Sequence, residues 1–248
     1  LNLLNKNKDG TYFTEGWLRD HINEYKNADT IVKKFNDLLL GMADKLDEKP
    51  KMHILDCTKI PIYFSNSNYE NAGIASDGDG NKIRGYKAGI LRGCLKNGGI
   101  IEEAIIDSAN IHDLELTKEM VIKSKHLKAK DIVLMDRGFI DLDFIRKLKS
   151  RGVDVIVPAR NNMDIFTEAV SIAKENNIWV KHPTRQNQDI ALVENLTNWG
   201  KESNVINFSS CVVRIEKEFN FEYTDKEYLS QDEKYIYIVI LSTNTKIG

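Results

Sequence analysis

Two aspartates follow short apolar runs that are typical of buried strands. Asp56 comes after residues 52–55 (Met-His-Ile-Leu), and Asp136 comes after residues 132–135 (Ile-Val-Leu-Met). Carboxylate oxygens are preferred ligands of Mg²⁺ and Mn²⁺, and two such ions about 3.5–4 Å apart can activate the attacking oxygen and stabilise the leaving oxygen of a phosphodiester. A single aspartate after a strand is more often a helix cap or a loop residue. The pair instead predicts a metal site for phosphodiester chemistry.

The elements that must position these aspartates follow the order of three strands, then helix, strand, helix and strand. We expect the strands at residues 52–55, 84–91, 99–108, 132–135 and 153–157, and the helices at about 113–125 and 142–150. An opening hairpin followed by right-handed crossovers gives an α/β (α+β) fold with a five-stranded mixed sheet flanked by helices. This is the strand order of the RNase H-like fold, in which the first and fourth strands are parallel neighbours. Asp56 and Asp136 should therefore emerge at one edge of the sheet.

The segments on either side of this core have different patterns. Asp29 or Thr30 is a candidate cap for an amphipathic helix that we expect to pack on a core. Its apolar positions are Ile31, Val32, Phe35, Leu38, Leu39 and Met42. After residue 160, a helix at 166–176 and three apolar segments predict a β-rich subdomain. We therefore expect a helical segment (1–50), an RNase H-like core (51–160) and a β-rich insertion (161–248).

Composition indicates an ordinary globular protein in a reducing compartment. The 248 residues are 42% hydrophobic and 29% charged, and no apolar run is long enough to span a membrane. Three widely spaced cysteines make a disulfide framework or a zinc site improbable and favour the cytoplasm. Because the sequence begins with Leu1 and not with Met, we expect it to be a piece of a longer protein.

The net charge of −2 conceals an uneven distribution of charge. Between residues 118 and 151, ten basic residues outnumber five acidic ones, whereas residues 216–233 contain seven acidic residues and two lysines. A polyanionic partner is compatible with the basic stretch, although solvated helix faces explain the charges equally well.

Four segments in the same order resemble bacterial insertion-sequence transposases with a DDE domain. They are residues 54–60 (Ile-Leu-Asp-Cys-Thr-Lys-Ile), 85–87 (Gly-Tyr-Lys), 109–113 (Ala-Asn-Ile-His-Asp) and 133–139 (Val-Leu-Met-Asp-Arg-Gly-Phe). The resemblance extends from residue 52 to 160 and returns at 238–244. It implies an RNase H-like core with a β-rich insertion before the last helix. It also implies DNA strand nicking and transfer with two Mg²⁺ or Mn²⁺ ions.

In this resemblance Asp56 matches the first catalytic, metal-binding carboxylate and Asp136 the second. The third is a glutamate in a Tyr…Arg…Glu motif on a helix that should begin shortly after Asn244. The sequence ends at Gly248 without that motif, so we expect an incomplete metal site and no activity in this piece alone. The implied partners are double-stranded DNA of the transposon ends and the target, with a homodimer on DNA, in the bacterial cytoplasm and away from membranes.

Four other residues are candidate DNA contacts. Lys87 could bind a phosphate as a point charge, or lie on a solvated strand. Arg137 could touch DNA or pair with a carboxylate. In related enzymes an aromatic residue of the insertion stacks on a flipped base, which makes Trp179 and Trp199 candidates, although core packing is the simpler interpretation. For residues 112–113 (His-Asp), a turn with a helix cap is favoured over a catalytic base.

Three functions remain open on the sequence. The leading one is a transposase that cleaves and joins DNA at transposon ends. The second is an RNase H-like nuclease that cleaves without strand transfer. The third is a truncated, inactive transposase that acts only as a DNA-binding or interaction protein.

Overall fold

The computed structural model describes residues 28–43, 45–46, 48–65, 69–77, 79–203, 205–217, 230–232 and 234–245. The helices are α1 (Ala28–Ala43), α2 (Asp113–Lys123), α3 (Leu142–Ser150) and α4 (Asp164–Glu175), with 3-10 turns at Arg137–Phe139 and Gly200–Glu202. The strands are β1 (Met52–Ile62), β2 (Gly73–Ser76), β3 (Lys82–Leu95), β4 (Gly98–Ser108), β5 (Ile132–Met135), β6 (Asp154–Pro158), β7 (Val180–Lys181), β8 (Gln188–Leu196), β9 (Phe208–Glu216), β10 (Ser230–Gln231) and β11 (Tyr235–Ser242). No helix in these ranges is long and apolar enough to cross a membrane.

The strands form one mixed sheet in the order β2-β3-β1-β5-β6-β11-β9-β8-β7, with β4 also beside β3 and β10 beside β11. Within it, β4-β3-β1-β5-β6 is the order expected for an RNase H-like core. The β1–β5 and β5–β6 pairs are parallel, and the β1–β3 pair is antiparallel. The predicted mixed α/β sheet flanked by helices is confirmed.

The sheet is larger than the five strands that were predicted. Strand β6 pairs on its free side with β11 in an antiparallel ladder that includes Ile240 and Pro158, and β9 and β8 follow β11. The β-rich strands therefore extend the core sheet. The division of the chain into three segments stays a prediction.

Strand β1 continues past the point where it was predicted to end. It was expected to stop at Asp56, but antiparallel pairing with β3 carries it on to Ile62, with Asp56 opposite Ile90 and Ile62 opposite Arg84. The parallel ladder with β5 does end at Leu55. Asp56 is therefore the first residue of β1 beyond its parallel partner.

The core lies on one face of the sheet, where alternate strand residues are buried. Strand β1 buries His53 and Leu55, and exposes Met52, Ile54 and Asp56 on the opposite face. Strand β5 buries Val133 and Met135 in the same alternation, and these residues pack in one cluster with side chains of α3 and α4, including Phe144, Ile145, Ile165 and Phe166. Period-two burial therefore places Asp56 on the face opposite that core.

Helix α1 covers the outer edge of β4. The side-chain amide of Asn36 donates to the Ala104 carbonyl and accepts from the Ala104 N–H, both at 2.9 Å. The helix begins at Ala28, ahead of both predicted caps. The predicted helix therefore packs on the sheet, but Phe35 is 43% exposed and Leu38 is 60% exposed, so part of its apolar face stays exposed. The reason is that Asn36 bonds the strand edge and only Leu39 of these positions is buried.

Candidate active site

The β1–β5 ladder brings the two predicted aspartates to the same edge of the sheet. In this ladder the first pair is Met52 with Ile132 and the last pair is Leu55 with Met135. Asp56 and Asp136 are the residues that directly follow the last pair. Neighbouring strands lie about 4.8 Å apart. Sequence positions eighty residues apart therefore become adjacent in space.

A backbone N–H holds one oxygen of each carboxylate. Oδ1 of Asp56 accepts from the N–H of Cys57 at 2.8 Å. Asp136 caps the 3-10 turn that follows β5, and its Oδ1 accepts from the N–H of Gly138 at 2.7 Å. The turn is anchored by Phe139, which is fully buried. These bonds orient each carboxylate and leave its second oxygen for another contact.

Burial and the neighbouring charges disfavour the ionised form of Asp136. Partial burial raises the pKa of this carboxyl, and the negative charges of Asp113 and Asp56 raise it further, against the opposing effects of the Gly138 N–H and Arg137. A cation placed here would relieve that repulsion. The electrostatics thus favour a positively charged ligand.

The thiol of Cys57, directly after Asp56, is disfavoured as a thiolate. Burial raises its pKa to about 12, with a further contribution from Asp113 and a smaller opposing one from Lys87. Only the thiolate acts as a nucleophile or metal ligand. Oxygen atoms are therefore the relevant donors at this edge.

Asp113 and Lys87 form an ion pair behind the two aspartates. The ammonium of Lys87 lies 2.5 Å from Oδ1 of Asp113 and also donates to the Ile111 carbonyl. Lys87 is only 7% exposed. Residues 112–113 were predicted to form a turn with a helix cap, and the cap of α2 is His112, whose Nδ1 accepts from the Leu114 N–H; Asp113 is the first residue inside the helix. A phosphate contact by Lys87 stays a prediction.

Gly138 lies between Asp136 and Asp113. A Cβ atom at this position would be 2.9 Å from Oδ1 of Asp136 and 3.4 Å from Oδ2 of Asp113. The first distance is shorter than ordinary contacts allow, so glycine permits the close approach. The sequence offered no signal that would join Asp113 to this edge, because the contact depends on how α2 packs beside the 3-10 turn.

Two arginines lie at the carboxyl ends of neighbouring strands. Arg137 directly follows Asp136, and its carbonyl accepts from Nη2 of Arg160 at 3.2 Å. Arg160 follows β6, and its buried Nε lacks a hydrogen-bond partner in the described part of the chain. Sequence reasoning missed Arg160. A DNA contact by Arg137 stays a prediction.

The two candidate tryptophans are partly buried against the core. Trp179 packs 4.3 Å from the guanidinium of Arg214, and its ring centroid is 6.2 Å from that of Tyr237. Trp199 stacks on Phe208 at 5.2 Å. Base stacking by either tryptophan stays a prediction.

The described residues contain no group of three or more His, Cys, Asp or Glu side chains arranged to hold a metal ion. The available donors are the carboxylates of Asp56 and Asp136. Both are hard oxygen ligands suited to Mg²⁺ or Mn²⁺, and a metal site at this pair stays a prediction.

Two solved structures are distantly similar to the chain. A piggyBac transposase in a synaptic complex with hairpin DNA is 11% identical with a TM-score of 0.47, over 93% of this chain and 40% of the other. The NurA nuclease from Sulfolobus solfataricus is 11% identical with a TM-score of 0.28, over 92% of this chain and 81% of the other. Similarity at this level carries no functional argument. The chain thus spans two fifths of the piggyBac protein, and no curated protein matches it.

The family assignment comes from the sequence match over most of the chain. Residues 47–245 match the transposase DDE domain family. The matched range contains Asp56, Asp136 and every strand of the sheet. The chain therefore belongs to the transposase DDE domain family.

Proposed function

We propose that this chain is the catalytic core of a DNA transposase. The enzyme cleaves phosphodiester bonds at transposon ends and transfers the cut strand to target DNA. The observation that carries the proposal is the parallel β1–β5 ladder, which aligns Asp56 and Asp136 at one sheet edge. Membership in the transposase DDE domain family supports the same activity.

Asp56 and Asp136 are the residues that would hold divalent metal ions. Their oxygens match the preference of Mg²⁺ and Mn²⁺. The pKa of Asp136 is raised mainly by burial and further by the charges of Asp113 and Asp56, and a cation would relieve the repulsion from those charges. When bound, two such ions supply activation of the attacking oxygen and stabilisation of the leaving oxygen. The family resemblance assigns a third carboxylate to a glutamate on a helix following Asn244.

The protein's own contribution is the orientation of the carboxylates. The N–H groups of Cys57 and Gly138 each fix one carboxylate oxygen. Because Phe139 is buried beneath the 3-10 turn, Asp136 is held on a rigid support. Pre-organised first contacts of this kind reduce the reorganisation needed during the reaction.

The proposed partner is double-stranded DNA of the transposon ends and of the target. Phosphate contacts should dominate the affinity and make it fall steeply with salt. Arg137 is the most direct candidate for such a contact because it adjoins Asp136, whereas the ammonium of Lys87 is occupied by Asp113. Base stacking by Trp179 or Trp199, assembly as a homodimer on DNA and a location in the bacterial cytoplasm are further parts of this proposal.

The proposal is tested with the full-length protein and a labelled duplex that carries a transposon end. In Mg²⁺ or Mn²⁺ we expect cleaved DNA and joined products, and EDTA should abolish both. Cleaved DNA without joined products would support an RNase H-like nuclease instead. Cleavage that persists in EDTA, or no cleavage at all, would contradict the proposed activity.

A further inference from the structure

We propose that Asp113, held by Lys87, is a positioning residue for Asp136 that increases the affinity of this edge for divalent cations. This inference rests on the proposed function. The two oxygens of Asp113 have different surroundings. Oδ1 lies 2.5 Å from the Lys87 ammonium, and Oδ2 is directed toward Gly138, next to Asp136.

Stability alone gives a poor explanation of the Lys87–Asp113 pair. Lys87 is 7% exposed and its ammonium reaches only a carbonyl and a carboxylate among the described residues. Desolvation of a buried ion pair offsets most of its attraction, and well-packed apolar residues often stabilise such a position equally well. The pair does, however, fix the direction in which the Asp113 carboxylate points.

Asp113 approaches Asp136 at Gly138, in the 3-10 turn. Oδ1 of Asp136 and Oδ2 of Asp113 lie 2.9 and 3.4 Å from the same point, the Cβ position of Gly138. Their separation therefore cannot exceed the sum of those two distances. At such a separation in a partly desolvated site, a second carboxylate adds substantially to the negative potential.

Asp113 acts through Asp136 and not as a third ligand. No three acidic, His or Cys side chains of the described residues are arranged around a common metal position. Groups just outside the ligands orient them and tune their charge, and losing one typically weakens metal affinity by about 10–100-fold. The same class of effect is expected from Asp113.

The test compares Asp113→Asn with Glu115→Gln by titrating the full-length protein with Mn²⁺ and following free Mn²⁺ by electron paramagnetic resonance. Both acidic residues lie in the first turn of α2, so each variant loses a similar interaction with the helix dipole. We expect Asp113→Asn to raise the Mn²⁺ dissociation constant by about 10-fold or more, and Glu115→Gln to leave it within about 2-fold. Equal dissociation constants for the two variants would overturn the inference.

Asp113→Asn also leaves the Lys87 ammonium without its carboxylate, which can destabilise the fold. A double variant, Lys87→Met with Asp113→Leu, replaces the pair by apolar side chains and keeps the region packed. It should still lose Mn²⁺ affinity, by less than Asp113→Asn because the opposing charge of Lys87 is removed as well, and it should keep a normal unfolding transition. Wild-type affinity in this double variant would also overturn the inference.

Two further variants distinguish a failure of this inference from a failure of the proposed function. Asp56→Asn and Asp136→Asn should each abolish Mn²⁺ binding. If the wild-type full-length protein does not bind Mn²⁺, or if these variants bind it normally, the proposed metal site fails and the inference fails with it. If they lose Mn²⁺ while Asp113→Asn behaves like Glu115→Gln, only the inference fails.

Discussion

The backbone N–H of Gly138 donates to Oδ1 of Asp136 at 2.7 Å, and a Cβ atom on the same glycine would lie 2.9 Å from that oxygen. One residue therefore orients the carboxylate and leaves room for it. This arrangement makes the 3-10 turn after β5 as important for the candidate site as the strand itself.

Gly138→Ala should weaken divalent-cation binding. The added Cβ would lie 2.9 Å from Oδ1 of Asp136, which forces the carboxylate or the turn to move. We expect the Mn²⁺ dissociation constant to rise about 10-fold, measured by Mn²⁺ titration followed by electron paramagnetic resonance. Gly41→Ala in α1 is a suitable control because its Cβ would meet nothing within 4 Å, and it should stabilise the helix by up to about 1 kcal/mol. Unchanged Mn²⁺ affinity in Gly138→Ala would contradict this role of the glycine.

Glu102→Gln should destabilise the fold. Oε2 of Glu102 lies 2.7 Å from Nδ1 of His53, whose Nε2 is 3.3 Å from Asp131, and all three side chains are at most 2% exposed. Removing the charge of one member breaks a buried network, at a cost of about 3 kcal/mol. The free energy of unfolding in urea measures the loss.

The matched control is Glu119→Gln, which removes an exposed carboxylate paired with Lys123 on α2. An exposed pair of this kind contributes less than about 1 kcal/mol. Similar losses in the two variants would mean that the buried network does not carry the stability attributed to it.

Asp232 should make stability depend on pH in the acid range. Burial alone would raise its pKa, but the Tyr237 hydroxyl, the Tyr235 and Lys234 N–H groups and the Lys174 ammonium hold the pKa well below its ordinary value. A carboxyl whose pKa is lowered by folding stabilises the protein above its unfolded pKa of about 3.9, and this stabilisation is lost as the pH falls through the folded value.

We therefore expect Asp232→Asn to be less stable than the wild type at pH 7 and pH 5. The difference should shrink progressively below about pH 4, as the wild-type carboxyl becomes protonated. Urea unfolding midpoints of both proteins across this range provide the measurement. A difference that stays constant down to pH 2 would refute the assignment of the hydrogen bonds to an ionised Asp232.

The adjacency of Asp56 and Asp136 could be predicted because it follows from local patterns. Short apolar runs before each aspartate mark buried strands, and right-handed crossovers leave few possible strand orders. Once β1 and β5 are paired in parallel, the two aspartates lie side by side because each directly follows its paired run.

Contacts between distant side chains could not be predicted in the same way. The pairing of Lys87 with Asp113 depends on how α2 packs on β3, and the continuation of β1 to Ile62 depends on pairing with β3. The extension of the sheet from β6 to β11 is likewise decided by which edge strands meet. The sequence pattern of each element is compatible with several such arrangements.

The most direct test of the central claim is DNA cleavage by Asp56→Ala and Asp136→Ala in the full-length protein. Both side chains are on the exposed edge, so the fold and DNA binding should be retained, and Asp107→Ala on β4 is a control for loss of an exposed carboxylate. We predict no cleaved DNA from either variant in Mg²⁺ and wild-type cleavage from the control. Normal cleavage by Asp56→Ala or Asp136→Ala would contradict the assignment of the active site.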